Sequence, residues 1–221
     1  MALFRTVSWP EPPSLIEGQG VFLRLPQMSD YKAWAGLREE SRHFLAPWEP
    51  LWPVHDLTRG AFRRRMRRYA RDVREDSAYP FLVFRGADRV LLGGLSLSNV
   101  RRGVTQTASL GYWMGAPHAG RGFMTAAVTA LLPYAHGTLG LRRIEAGCLP
   151  NNVPSIRLLE RVGFQREGRA REYLCINGVW QDHLLFARLG TDPVPMPAPV
   201  RAEAKGIAFQ DENALRAGDQ V

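Results

Sequence analysis

Three short stretches of the 221-residue sequence carry residue types that could do chemistry. The first, Pro117 to Met124, reads Pro-His-Ala-Gly-Arg-Gly-Phe-Met and stands between a strand-like and a helix-like stretch. Glycines at 120 and 122 let the backbone approach a ligand closely. A helix N-terminus beyond them offers unpaired N–H groups and the positive end of a dipole, which together bind phosphate oxygens. The same spacing also makes an ordinary tight turn. The loop is not a Walker loop, because no Gly-Lys-Ser/Thr follows, and not G-x-G-x-x-G, because Thr125 stands three residues beyond Gly122. The second stretch, Asn152-Val-Pro-Ser155, opens a helical pattern, either as a cap or with both polar side chains facing a crevice. The third runs from Arg169 to Gly178. Glu172 and Tyr173 are neighbours on a predicted strand, so they should point to opposite faces and only one can face a crevice.

These stretches must be held by a frame, and periodicity supplies one. Strands are predicted at 21–25, 81–85, 90–97, 107–114, 142–149, 164–175 and 180–189, the last two joined by an Asn177-Gly178 hairpin turn. Ser29 and Asp30 can cap a helix running to Glu40. A second helix spans the arginine-rich segment 58–76, where Phe62, Met66, Tyr69 and Val73 fall on one face. A third follows Gly122 to about His136, with Pro133 disturbing its last turn. A fourth covers 154–162, with Gly163 suited to end it. The order βααβββαβαββ describes an α+β fold, and Pro47, Pro50 and Pro53 make 46–57 a loop.

Composition limits what the chain can be. The net charge is +8, and 27 of the 29 basic residues are arginine. Residues 1–189 hold 26 basic and 16 acidic side chains, while 190–221 hold 3 and 5. With Pro193, Pro195, Pro197 and Pro199 and almost no aromatics, 190–221 reads as a Pro-rich disordered tail behind a single domain at 1–189. The segment 58–76 carries eight arginines against three acids, either a solvated helix face or an anion-facing surface. The longest apolar run, 123–135, is too short for a bilayer, and no secretory signal is visible, so a cytoplasmic setting without membrane association is expected. Cys148 and Cys175 make no disulfide framework and are read as small core residues. The five histidines form no metal pattern, so no metal is expected.

Taken together, the three stretches resemble the GNAT acyltransferase superfamily from about residue 19 to 189. Within it they resemble the RimJ/RimL group of ribosomal-protein-alanine N-acetyltransferases, the RimJ-like branch above all. The resemblance is carried by Arg42-His-Phe-Leu-Ala-Pro-Trp-Glu-Pro50, by 97–103, by Leu110-Gly-Tyr-Trp113, by the Gly120/Gly122 loop, and by 171–183. It implies a mixed, mostly antiparallel central sheet flanked by helices and splayed between the fourth and fifth strands.

The resemblance also implies acetyl-CoA as co-substrate. Its pyrophosphate would meet Ala119, Gly120, Arg121, Gly122, Phe123 and Met124, and its pantetheine would lie beside Trp113, Met114 and Gly115. Asn152 would bond the pantetheine or a water, and Ser155 would protonate the leaving thiolate. Glu172 would act as general base, directly or through water. Pro117 stands where the family usually has Gln or Arg, which leaves that contribution to backbone donors. The acceptor would enter by the 47–53 loop, where Trp48 and Trp52 could wall a peptide groove and Glu49 draw in an amino terminus, with Tyr112 a further candidate. The implied reaction is direct transfer to a protein N-terminus, in the first instance the alanine of a ribosomal protein, with ribosome contact through the basic surface. Two alternatives stay open: a small amine acceptor (antibiotic, polyamine or aminoacyl-nucleotide), and a weakly catalytic, ribosome-associated acyl-CoA-binding module.

Overall fold

A computed structural model of the chain describes residue 13 and residues 15–193. Its centre is one eight-stranded sheet in the order β1-β2-β3-β4-β5-β6-β8-β7. The strands are β1 (Ile16–Gly18), β2 (Val21–Arg24), β3 (Tyr79–Arg85), β4 (Leu91–Arg101), β5 (Thr107–Met114), β6 (Arg143–Cys148), β7 (Gln165–Ile176) and β8 (Val179–Leu189). The helices are α1 (Tyr31–Glu40), α2 (Arg42–Leu45), α3 (Arg59–Arg74), α4 (Phe123–Pro133) and α5 (Val153–Arg161). All strand pairs are antiparallel except β5–β6. Strand β1 is an addition to the sequence reading: a turn at Gln19-Gly20, with Gly20 at φ +71°, folds it back onto β2. The segment 194–221 of the expected tail lies outside the described residues.

The parallel pair decides where a ligand can enter. Strands β5 and β6 pair only at Thr107–Ser109 against Arg143–Glu145 and then diverge. Counted from Val21, these are the fourth and fifth strands, so the splay stands where the resemblance put it. The outer half of β5 keeps its bonds to β4 through Met114 and leaves its β6-facing edge open.

Two apolar layers cover the sheet. On one face α4 brings Ala127, Val128 and Leu131 against Leu23, Val83, Leu92, Leu97 and Ile144, and Leu159 of α5 joins them. On the other, Trp34 and Leu37 of α1 and Phe62 of α3 pack on Phe22, Leu82, Phe84 and Leu91. Thr58 caps α3 by accepting from the Ala61 N–H at 3.3 Å. Pro133 ends α4, and a wider turn over Tyr134–Thr138 follows, as the missing N–H of proline requires.

The entry to α1 differs from expectation. Asp30 does not cap it with its side chain; it accepts from Arg24 at 2.6 and 2.8 Å and from the Gln27 N–H at 2.7 Å, tying the helix start to β2. A second buried carboxylate, Asp76 at the end of α3, takes the Arg102 guanidinium at 2.5 and 2.7 Å and the Tyr79 hydroxyl at 2.6 Å. Arg102 also donates to the Leu139 carbonyl, so this network joins α3, the β4–β5 loop and the turn after α4.

Candidate active site

The Gly120 loop connects β5 to α4. A short 3-10 turn at Ala116–His118 leads into Gly120 at φ +74° and Gly122 at φ +86°, and Gly122 is the N-cap of α4. A side chain at either glycine would be held in a strained left-handed conformation. The first N–H groups of α4, from Phe123 onward, have no carbonyl partner inside the helix, and the space beside Gly120 is open. Burial, reinforced by the charges of Arg85 and Arg121, lowers the His118 pKa and favours the neutral ring. Arg121 itself is half-buried beside the loop. The loop therefore fits a phosphate group through backbone donors, with Pro117 contributing no side-chain donor.

At the mouth of the splay, Asn152 and Ser155 stand at the start of α5. Asn152 is the cap, its side-chain oxygen accepting from the Ser155 N–H at 3.2 Å. The Ser155 hydroxyl lies 2.6 Å from the Tyr112 hydroxyl, bridging the gap between β5 and α5. Burial raises the Tyr112 pKa above its ordinary value, so the phenol keeps its proton through the neutral range. Cys148, on β6, is raised by burial as well, with a hydrogen bond from Ser155 acting the other way. Three protonated groups thus meet where the strands part, next to the open edge of β5 that carries Trp113, Met114 and Gly115.

Glu172 sits differently. Between Ala170 and Leu174 the β7 register shifts, Glu172 takes φ +44°, and the strict alternation expected of neighbours does not hold across the bulge. The residue is exposed. Its N–H donates to Asp182 at 2.9 Å, and among the described residues its carboxylate has no hydrogen-bond partner. Tyr173 instead lies against His183, with ring centroids 5.6 Å apart, over Gly147 of β6.

The 46–57 loop closes the opposite side. Ala46–Trp48 is a single 3-10 turn with Trp48 half-buried, and the Asn177 N–H of the β7–β8 turn donates to the Glu49 carbonyl at 2.9 Å. The Glu49 side chain takes both terminal nitrogens of Arg38, at 2.8 and 2.7 Å, and the Trp52 indole N–H at 2.7 Å. The Arg38 guanidinium lies 4.0 Å from the Trp52 ring and 4.9 Å from that of Trp113. Gly94 leaves room for the Trp113 indole on β4, since a side chain there would meet its ring nitrogen at 2.7 Å. Between α1, α3 and the sheet a pocket of about 290 Å³ remains, bounded by Arg38, Glu49, Arg65, Tyr69, Gly111 and Trp113 among others, with Tyr112 at its β5 side.

Sequence reasoning passed over Arg38 and counted Arg65 only among the surface arginines of 58–76. The signal for Arg38 was its place beside Trp34 and Leu37 on the inward stripe of α1, where an arginine needs a partner. For Arg65 the partner is Asp56, at 2.7 and 3.0 Å. Among the described residues no cluster of three or more His, Cys, Asp or Glu side chains could hold a metal ion, and no helix is long and apolar enough to cross a membrane.

Comparison with known proteins agrees with this fold. Residues 21–165 match the family described as acetyltransferase (GNAT) domain. The Bacillus subtilis protein named "Probable N-acetyltransferase YjcK" is 37% identical over 178 residues, 80% of this chain and 98% of that protein. The [Ribosomal protein uS5]-alanine N-acetyltransferase of Escherichia coli is 36% identical over 168 residues, 75% and 87% of the two chains. The structure of Mycobacterium smegmatis RimJ in complex with CoA-disulfide superimposes with a TM-score of 0.78 at 31% identity, covering 83% of this chain and 90% of that one. With its splayed sheet, glycine loop and matching sequence, the chain belongs to the GNAT acetyltransferase family.

Proposed function

We propose that the protein transfers the acetyl group of acetyl-CoA to the N-terminal α-amine of a protein, with the N-terminal alanine of a ribosomal protein as the acceptor to test first. The observation that carries this reading is that the pocket between α1 and α3 and the open edge of β5 meet at the same residues, Tyr112 and Trp113. Two molecules brought from opposite sides would meet there. The name of the Escherichia coli relative supports the choice of acceptor.

Acetyl-CoA supplies an activated acyl group as a thioester. The N–H groups from Gly120 to Met124, with Arg121 beside them, would hold its phosphates. The free edge of β5 at Trp113–Gly115 would pair with its amide-bearing arm as an added strand does. Asn152, already committed through its oxygen to the Ser155 N–H, retains its amide donors for that arm. Ser155, hydrogen-bonded to Tyr112, would hold a proton for the departing sulfur. An α-amine has a pKa of about 7.7–8.0, so much of it is neutral at physiological pH and the base has little work to do. Glu172, exposed at the bulge, would take the proton through water. Positioning both partners in one crevice would supply most of the rate.

The outward face of α3 fits a ribonucleoprotein setting for the acceptor. Arg59, Arg63, Arg64, Arg67, Arg68, Arg71 and Arg74 are all exposed there. The test is acetyl transfer by the purified chain to peptides beginning with alanine, against the same peptides blocked at the N-terminus, and with Glu172→Gln. Transfer to the free peptides, slowed about tenfold or more by Glu172→Gln, is the expected result. Equal labelling of blocked peptides would refute the α-amine assignment, and an unchanged rate in Glu172→Gln would remove its role as base.

A further inference from the structure

The pocket walls bear on which amines can enter, and the following rests on the acetyl-transfer reading above. Among the described residues, the charged groups facing the pocket are Arg38 from α1, Glu49 from the 46–57 loop and Arg65 from α3. Tyr69 of α3 and Tyr112 of β5 also face it. Glu49 is the one carboxylate, and both its oxygens are engaged: each accepts from Arg38, and one accepts from Trp52 as well. Arg38 is held in this pose by Glu49 and by the flanking Trp52 and Trp113 rings, and is 8% exposed. Arg65 is paired with Asp56, which stands outside the pocket. An ammonium group entering here gives up its water and finds no free anion, a loss that a neutral amine does not suffer.

The difference between amine classes follows from their pKa values. At pH 7.5 an α-amine is neutral in about one molecule in three, whereas a lysine-type amine with a pKa of about 10.4 is neutral in about one in 800. We infer that Arg38 is a specificity-determining residue: by pairing with both oxygens of Glu49 it restricts the pocket to neutral α-amines and masks a carboxylate that would otherwise admit lysine side chains and linear polyamines. The neutral fractions alone give a preference of about 270-fold.

The test measures kcat/KM, by release of the CoA thiol, for an alanine-initiated peptide, an N-terminally blocked lysine peptide and spermidine. The wild-type chain should favour the α-amine peptide by about 100-fold or more. Arg38→Met should raise kcat/KM for spermidine at least tenfold while lowering it for the peptide. The double variant Arg38→Met/Glu49→Gln, with the same loss of loop packing, should lose that gain. The wild-type protein provides a second readout that needs no variant. Peptides with Glu at the second position should show a lower KM than those with Lys, and the gap should narrow as salt is raised.

Spermidine turnover equal to the peptide's in the wild type would overturn the inference. A polyamine gain that survives Glu49→Gln, or a folded, peptide-active Arg38→Met without the gain, would overturn it too. If Arg38→Met does not fold, the second-position series decides: no difference between Glu and Lys overturns the proposal. A wild-type chain that acetylates none of these amines would instead remove the acetyl-transfer reading, and this inference with it.

Discussion

Replacing Ser155 by alanine separates a chemical role for the Ser155–Tyr112 pair from a structural one. The change removes the oxygen 2.6 Å from the Tyr112 hydroxyl and leaves that phenol in a site dry enough to raise its pKa. A buried hydroxyl left without its partner costs about 1–3 kcal/mol. In a domain of 150–250 residues each kcal/mol moves Tm by about 2–4 °C, so a fall of roughly 2–12 °C is expected. The effect on rate has a separate origin. A departing thiol with a pKa near 8.5 needs only modest protonation, and Tyr112 stays within reach as a substitute donor. The kcat should therefore drop about 10- to 100-fold, equal to about 1.4–2.7 kcal/mol, at or below the low end of what a general acid contributes. The KM for acetyl-CoA should hardly move, because the expected contacts of the cofactor are with backbone, Asn152 and Arg121, none of which is changed. Tyr112→Phe should lose a comparable factor. The double variant should lose less than the product of the two, since groups acting as one unit are not additive. Stopped assays of thiol release under saturation, alongside thermal melts, measure both quantities. A Ser155→Ala enzyme whose Tm falls while kcat stays within twofold of wild type would refute the reasoning and make the pair a strut across the splay.

Further outcomes are expected from three other perturbations. Gly122→Val forces a β-branched residue into φ +86° at the N-cap of α4, so it should cost about 1–2 kcal/mol and raise the KM for acetyl-CoA more than it lowers kcat; titration with CoA measures this. Asp76→Ala leaves Arg102 without its carboxylate partner, and chemical denaturation should show a loss of about 3 kcal/mol, the low end for a buried pair because Arg102 is partly exposed. With pH, log kcat/KM for a peptide should rise with unit slope to about pH 8 as the α-amine loses its proton, then stay level to about pH 10. Tyr112 imposes no earlier limit: folding favours the protonated phenol, so its contribution is intact below pH 10 and is lost only above. A descending limb near pH 9 that disappears in Tyr112→Phe would contradict this.

Periodicity and punctuation were enough to read the frame from local sequence. The helix at 59–74 was legible from Phe62, Met66, Tyr69 and Val73, because a 3.6-residue repeat needs no distant partner to declare itself. The β7–β8 turn was legible because Asn177 and Gly178 both tolerate positive φ, here +47° and +81°. The glycine loop and the Asn152 cap were visible for the same reason, as local geometry written in residue type. The splay came from resemblance, and β1 was missed because three residues are too few to show alternation.

What only the tertiary structure decided is which charges meet. Glu49 was read from its loop as a free carboxylate awaiting an amine. Arg38, eleven residues away on α1, reaches it through the fold and takes both oxygens. Tyr112 looked like core or pocket wall, but Ser155 comes to it from 43 residues further along the chain and makes it half of a proton-bearing pair. Glu172 was placed by strand alternation, which a bulge in β7 suspends. Sequence therefore determined the elements and the candidate groups, since these depend on near neighbours and backbone preference. The partners of those groups, and with them the charge state of the site, depend on long-range packing and emerged only when the chain was folded.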